Sequence, residues 1–179
     1  KNHGDRKVRM RKEYPLAYAI SRAWRKFYRW AVRKPDKLVK RINKWVPPGL
    51  VIDVGCGNAD RLLSLPTHYE TSGIEISKAL AEEAQGLLAA RGGSIINLPA
   101  VEGLASYEAA TASGVLMRSF LEHEQKPVEL LSHAARVLKP DGVAIIKVPN
   151  FSSINRRVMG SRWCGFRFPG HVNYFTPAS

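Results

Sequence analysis

The sequence predicts an α/β protein: a doubly wound, mostly parallel sheet with helices on both faces, preceded by a basic helical segment. Three observations carry that expectation. Short apolar runs alternate with helical patterns from residue 50 to residue 148. The run Val51-Ile-Asp-Val54 ends in the glycine-rich turn Gly55-Cys-Gly57. About one βα unit later, Gly73-Ile-Glu75-Ile76 sets a carboxylate at the end of the next strand. Strand, glycine turn, helix, strand and acid together form the layout of a nucleoside or nucleotide pocket.

Each element has its own signal. Pro15 opens a helical pattern in which Leu16, Ile20, Ala23, Trp24, Phe27 and Ala31 recur at three- and four-residue steps, and Pro35 ends it. Pro35 also starts a second helix, with Leu38, Ile42, Trp45 and Val46 on one face, and Pro47-Pro-Gly49 stops it. Strand one is expected at about 50–54 and a short helix at about 58–65. Strand two spans about 70–76, and Ser77 reads as the N-cap of a helix reaching Arg91. Gly92-Gly93 breaks that helix. Strands three and four are placed at about 94–98 and 109–114. A helix over about 127–138 carries Val128, Leu131, Ala134, Ala135 and Leu138 as its stripe. Pro140-Asp-Gly142 turns into strand five, Val143–Val148, whose apolar run suits a strand covered on both faces.

Composition narrows the function. The 179 residues suit one α/β domain after a basic segment, with boundaries at 1–48 and 49–179. Residues 1–50 hold 16 Lys and Arg against 3 acids, and residues 51–179 hold 12 against 12. The net charge of +13 is therefore a local feature of the first segment. Two cysteines, Cys56 and Cys164, make no disulfide framework, and a cytoplasmic setting is expected. No run of about 18 apolar residues predicts a membrane span. Three readings of residues 15–33 stay open: a lid over the cleft, a helix lying on an anionic membrane surface, or a nucleic-acid contact, the last without any recognisable RNA-binding module. His3, His68 and His133 have no ligand spacing with each other or with the cysteines, so no metal is expected.

The pocket chemistry is more specific. A dinucleotide fingerprint would place glycine where this chain has Asp60, and a carboxylate there opposes a pyrophosphate. No Gly-Lys-Ser/Thr phosphate loop occurs. The pocket therefore suits ribose and adenine without phosphates. Asp53-Val-Gly-Cys-Gly57, Glu75, Ser113-Gly-Val-Leu with Leu121-Glu-His123, Val137–Asn150, and Gly170-His-Val-Asn-Tyr-Phe-Thr-Pro177 occur in order. On these residues the chain resembles the class I S-adenosylmethionine-dependent methyltransferases, in particular the Methyltransf_23 and UbiG-like group, over roughly residues 45–179.

The resemblance implies a Rossmann-like fold and S-adenosyl-L-methionine as cofactor. It implies that Asp53, Gly55, Cys56, Gly57, Glu75, Ile76 and Ser113 bind it, with Glu75 on the ribose hydroxyls and Ile76 on the adenine face. The family often has glycine where this chain has Ala59. It also often has an acid where this chain has Ala100, and Glu102 is the nearest one. Two more sheet strands are implied after the segment ending here, so the C-terminal strands are expected to be absent. Since Lys1 is not Met, the true start is expected to lie upstream. Methyl transfer depends mainly on alignment, and only a hydroxyl acceptor needs a base. His123, after strand four, is the candidate, with Glu122 either a partner or a helix-start acid. His171, Asn173 and Tyr174 are candidates for the acceptor pocket. The expected activity is methylation of a small molecule, most readily at oxygen. RNA modification and an inactive cofactor-binding scaffold are the alternatives.

Overall fold

The computed structural model describes residues 37–179, so the expected helix over 15–33 and its three readings lie outside the described residues. No described helix is long and apolar enough to cross a membrane. The chain runs α1 (Lys37–Trp45), β1 (Gly49–Val54), α2 (Asp60–Leu63), β2 (Tyr69–Ile74), α3 (Lys78–Leu88), β3 (Ser94–Ile96), α4 (Ala100–Ala105), β4 (Ala112–Arg118), α5 (Pro127–Val137), β5 (Leu138–Lys147) and α6 (Ile154–Met159).

The strands form one parallel sheet in the order β3-β2-β1-β4-β5. The winding reverses at β1. A crevice must open there, beyond the carboxyl ends of β1 and β4, because the crossovers leave in opposite directions. Strand residues alternate between two cores, as a period of two requires. Ile52, Val54, Val115 and Met117 pack against Val101 and Leu104 of α4 and Leu130, Ala134 and Val137 of α5. Val51 and Leu116 face the other way, against Leu38 and Ile42 of α1, Leu62 of α2 and Ala84 and Leu88 of α3. Burial of these aliphatic side chains contributes on the order of 1.5–3 kcal/mol each.

The unit that holds the sheet runs Leu38–Ser179, and three expectations change. Leu38, Ile42 and Val46 are buried against the sheet, and the Tyr69 hydroxyl donates toward the carbonyls of Ile42 (3.3 Å) and Val46 (2.9 Å). Trp45 is not on that face: it is 59% exposed beneath the Lys44 ammonium. β4 lies later than expected, since Ala110 adopts a positive φ of 55° in the preceding loop, and the buried run is Ala112–Met117. β5 is the outer strand, half-buried, with Ile146 39% exposed, so its apolar run does not mean cover on both faces. The Pro140-Asp-Gly142 turn survives as an outward bulge within β5: Ala112 pairs with Leu138 and Gly114 with Val143. Proline has no N–H to give a ladder.

Helix α4 escapes the sequence reading because six residues are too few for a 3.6-residue period to show. It is placed by Gly103, where an added Cβ would sit 2.5 Å from Ile74 Cγ2. The bare glycine lets helix and strand touch.

Candidate active site

The turn after β1 is fastened to the end of β2. The Gly55 and Cys56 N–H groups donate to the Ile74 carbonyl at 2.9 and 3.2 Å. The Gly57 N–H donates to Glu75 Oε2, and the Ser77 N–H to Glu75 Oε1, both at 2.9 Å. One carboxylate thus bridges the glycine turn and the start of α3. Ser77 occupies the N-cap of α3, but its hydroxyl caps nothing. Each Glu75 oxygen keeps a lone pair for a further donor. Asn97, just past the end of β3, supports this corner, with its amide donating to the Glu75 and Ile76 carbonyls at 2.7 and 3.1 Å.

Beside this turn lies a cleft of about 380 Å³, within the range of roughly 300–1,000 Å³ usual for small-molecule sites. Gly55, Glu75 and Ile76 form one wall, Leu98 to Glu102 a second, and Phe120, His123, Glu124 and Lys126 a third. Ile76 is 69% exposed and Leu98 40%, a large apolar surface that a flat ring could cover. Phe120 gave no signal in the sequence. Ser119, at a positive φ of 52°, turns the chain after β4. Phe120 then closes on Gly55, where an added Cβ would lie 2.3 Å from Phe120 Cδ2. Glycine at φ 69° is therefore required twice over, by the backbone and by the ring above it.

The other expected residues are distributed unevenly. Asp53 is fully buried but does not line the cleft; Arg61 of α2 grips it through Nε–Oδ2 (3.0 Å) and Nη2–Oδ1 (3.3 Å). Burial outweighs the Arg61 charge and pushes the Asp53 carboxyl up to about 6. Cys56 is a packing residue: its Sγ fills the space over Gly73, and burial, with the charges of Asp53 and Glu75, pushes its thiol up to about 12. Gly57, at φ 58°, has open space where a Cβ would stand.

Ser113 is the clearest correction. With β4 starting at Ala112, Ser113 sits at the amino end of its strand, the far edge from the cleft. Its hydroxyl donates to the Pro48 carbonyl at 3.0 Å and accepts from Lys139 Nζ at 3.3 Å. A strand placed four residues too early had put it at the ligand edge.

The residues after β4 meet the late loop. Val172 and Asn173 N–H groups donate to the Glu122 carbonyl at 2.9 and 3.1 Å. The Asn173 amide donates to the Leu121 and Glu124 carbonyls, so it clamps the loop instead of lining the cleft. Tyr174 also lies off the cleft, packed on Phe151 and Phe166 at 5.5 and 5.6 Å between ring centres. His171 is buried edge-on to the His123 ring, 4.6 Å away. His123 Nδ1 faces the Gly170 carbonyl and His171 Nδ1 the Gly165 carbonyl. A carbonyl only accepts, so both rings carry a proton on Nδ1, which in the neutral imidazole leaves the lone pair on Nε2. Glu122 is 2% exposed, and its Oε2 has no hydrogen-bond partner among the described residues.

The methyltransferase-domain family Methyltransf_23 matches residues 24–179. The chain belongs to this family. With the family comes the cofactor expected from the sequence, S-adenosyl-L-methionine. No curated protein matches the sequence. Among solved structures, an S-adenosylmethionine-dependent methyltransferase from Archaeoglobus fulgidus superposes with a TM-score of 0.59 at 20% identity, over 87% of this chain and 69% of that one. The [4+2]-cyclase SpnF gives 0.53 at 21%, over 61% and 43%. A geranyl diphosphate methyltransferase solved with its substrate and sinefungin gives 0.53 at 14%, over 63% and 44%. The chain thus spans about two thirds of the first relative and less than half of the other two. At these identities the likeness shows the fold, a Rossmann-like methyltransferase sheet.

Proposed function

We propose that this chain transfers a methyl group from S-adenosyl-L-methionine to a small-molecule acceptor, at an oxygen atom. One observation carries the reading: a single cleft brings Gly55, Glu75 and Ile76 to the same space as His123. The residues present fit the cofactor. Glu75 keeps free lone pairs beside the glycine turn for two ribose hydroxyls, and its two N–H bonds hold it in place before any ligand arrives. Ile76, Leu98 and Val101 offer apolar surface to the adenine, and Glu102 stands at the rim where its amino group would donate.

Charge supports the same choice. The charged groups lining the cleft include Glu75, Glu102 and Glu124 against Lys126. Such a lining disfavours phosphates and favours a sulfonium with its ammonium group. It also argues against an RNA backbone in this cleft.

The cofactor, when bound, supplies an activated methyl group. The chain supplies alignment, which can contribute roughly 7–11 kcal/mol of a barrier. Phe120 walls the glycine turn. The corner of Glu122 and His123 is where the acceptor hydroxyl would lose its proton, because the His123 Nε2 lone pair is left free there. Asp53 acts at a distance, fixing α2 through Arg61.

Calorimetry with S-adenosylhomocysteine tests the pocket. Wild type should bind, and Glu75→Ala should bind at least tenfold more weakly; undiminished binding by the variant would remove Glu75 from the site. Because a cyclase shares this fold, methyl transfer needs its own measurement. Turnover of a panel of phenols, sugars and isoprenoid alcohols with radiolabelled methyl donor should give product. A chain that binds the thioether but methylates nothing would be the cofactor-binding scaffold.

A further inference from the structure

We propose that Glu122, His123 and His171 form a site for one divalent transition-metal cation, bordering the cleft. Spacing along the chain does not show it, because the histidines come from the turn after β4 and from the loop over residues 170–177. In the fold, one donor atom from each of the three residues lies within 4.8 Å of the other two. Bonds of about 2.0–2.2 Å put ligand atoms roughly 3–4 Å apart, so the three side chains would have to draw in slightly to share one ion.

Three further features distinguish the cluster from a chance meeting of polar groups. Both histidines give their Nδ1–H to a backbone carbonyl, Gly170 for His123 and Gly165 for His171. This is how metal-binding imidazoles are commonly held, with Nε2 turned to the ion and the ring fixed from behind. Glu122 Oε2 is buried without a hydrogen-bond partner among the described residues. An unsatisfied buried carboxylate oxygen is costly, and a cation would relieve it. Finally, the two contributing segments are bolted together by the Glu122 carbonyl and the Asn173 amide, so the donors are positioned by backbone rather than by flexible side chains.

Two imidazoles and a carboxylate favour Zn²⁺, Fe²⁺, Co²⁺ or Mn²⁺ over Mg²⁺ or Ca²⁺, which prefer oxygen alone. Three protein ligands leave at least one coordination position open. Of the three, His123 lines the cleft, which puts the ion at the cleft's border. The role that follows rests on the methyltransferase reading; the site itself does not. With His123 holding the ion instead of acting as the base, an acceptor hydroxyl bound there would ionise near neutral pH and release its proton to water. Its oxygen would then form the new bond to the methyl carbon as the carbon–sulfur bond breaks, the electron pair staying on sulfur as the thioether.

The test uses untagged protein stripped with a chelator and then titrated with Zn²⁺ against a chromogenic competitor. One equivalent should bind with micromolar or tighter affinity. Glu122→Gln, His171→Ala and the more exposed His123→Gln should each weaken it at least tenfold. Co²⁺ loading should give visible absorption that His123→Gln alters. Absence of stoichiometric binding, or binding untouched by all three substitutions, overturns the site. Titrating the same samples with S-adenosylhomocysteine separates the two proposals. Thioether binding without metal binding defeats this one alone, and metal binding without thioether binding defeats the cofactor pocket alone.

Discussion

Glu75 Oε2 accepts the Gly57 N–H at 2.9 Å across 18 residues of sequence, and the same carboxylate accepts the Ser77 N–H through its other oxygen. The ribose-binding candidate is therefore also the pin that holds the glycine turn against β2. Glu75→Gln replaces one acceptor by an amide NH₂ that must face a backbone N–H. Stability should fall by about 1–3 kcal/mol, and the Gly57 or Ser77 amide should exchange hydrogen faster than in wild type. Unchanged exchange at both amides would show that the pin is dispensable.

Gly55 and Gly57 share a positive φ but differ in surroundings. An added Cβ at Gly55 runs into Phe120, whereas at Gly57 it meets nothing within 4 Å. Gly57→Ala should cost only backbone strain, about 1 kcal/mol. Gly55→Ala should cost that plus displacement of the ring, on the order of 2–4 kcal/mol. Adding Phe120→Ala to Gly55→Ala should remove the steric part of the penalty. Denaturant midpoints decide it, and equal losses at the two glycines would count against the Phe120 contact.

Asp53 makes stability depend on pH in an unusual direction. Its carboxyl titrates near 3.8 when exposed and is pushed up to about 6 by burial in the fold. Between those values the folded protein holds a proton that the unfolded chain has lost. The contribution of Asp53 is thus fully present below pH 4 and fades as pH rises through 6. Asp53→Asn cannot titrate, so its stability relative to wild type should rise from pH 4 to pH 7, by on the order of 1–3 kcal/mol. Urea melts of both proteins across that range check the sign. A flat or falling difference would mean that Arg61 outweighs burial.

Tyr69 ties β2 to α1 through its hydroxyl on the Ile42 and Val46 carbonyls. Tyr69→Phe keeps the ring and removes the donor. A loss of about 1–2 kcal/mol is expected, with faster amide exchange in the last turn of α1. Wild-type stability in the variant would mean the helix end is satisfied by water.

What the sequence revealed depended on how locally each feature was written. The Gly55–Gly57 turn and Glu75 were legible because both signals sit at strand ends a short distance apart, where residue type is dictated by backbone geometry. Strand β4 was misplaced because Ala109-Ala-Thr-Ala-Ser113 reads as a weak strand, while the left-handed Ala110 leaves no mark in its own residue type. That slip carried Ser113 to the wrong edge. Trp45 was assigned inward on hydrophobicity, yet the buried row runs Leu38, Ile42, Val46 at steps of four. Glu122, His123 and His171 were legible singly, but their meeting, like the closure of Phe120 on Gly55, was invisible for another reason. Their meaning lies in contacts between distant segments, and no periodicity encodes those.

The left-handed backbone at Ser119, φ 52°, has a consequence for anyone wishing to reshape what this cleft accepts. Valine, isoleucine and threonine would resist that geometry, so randomising the corner should return mostly serine, glycine, asparagine or aspartate. Diversity is better sown at Leu98, where ordinary loop geometry and an exposed side chain leave the choice open.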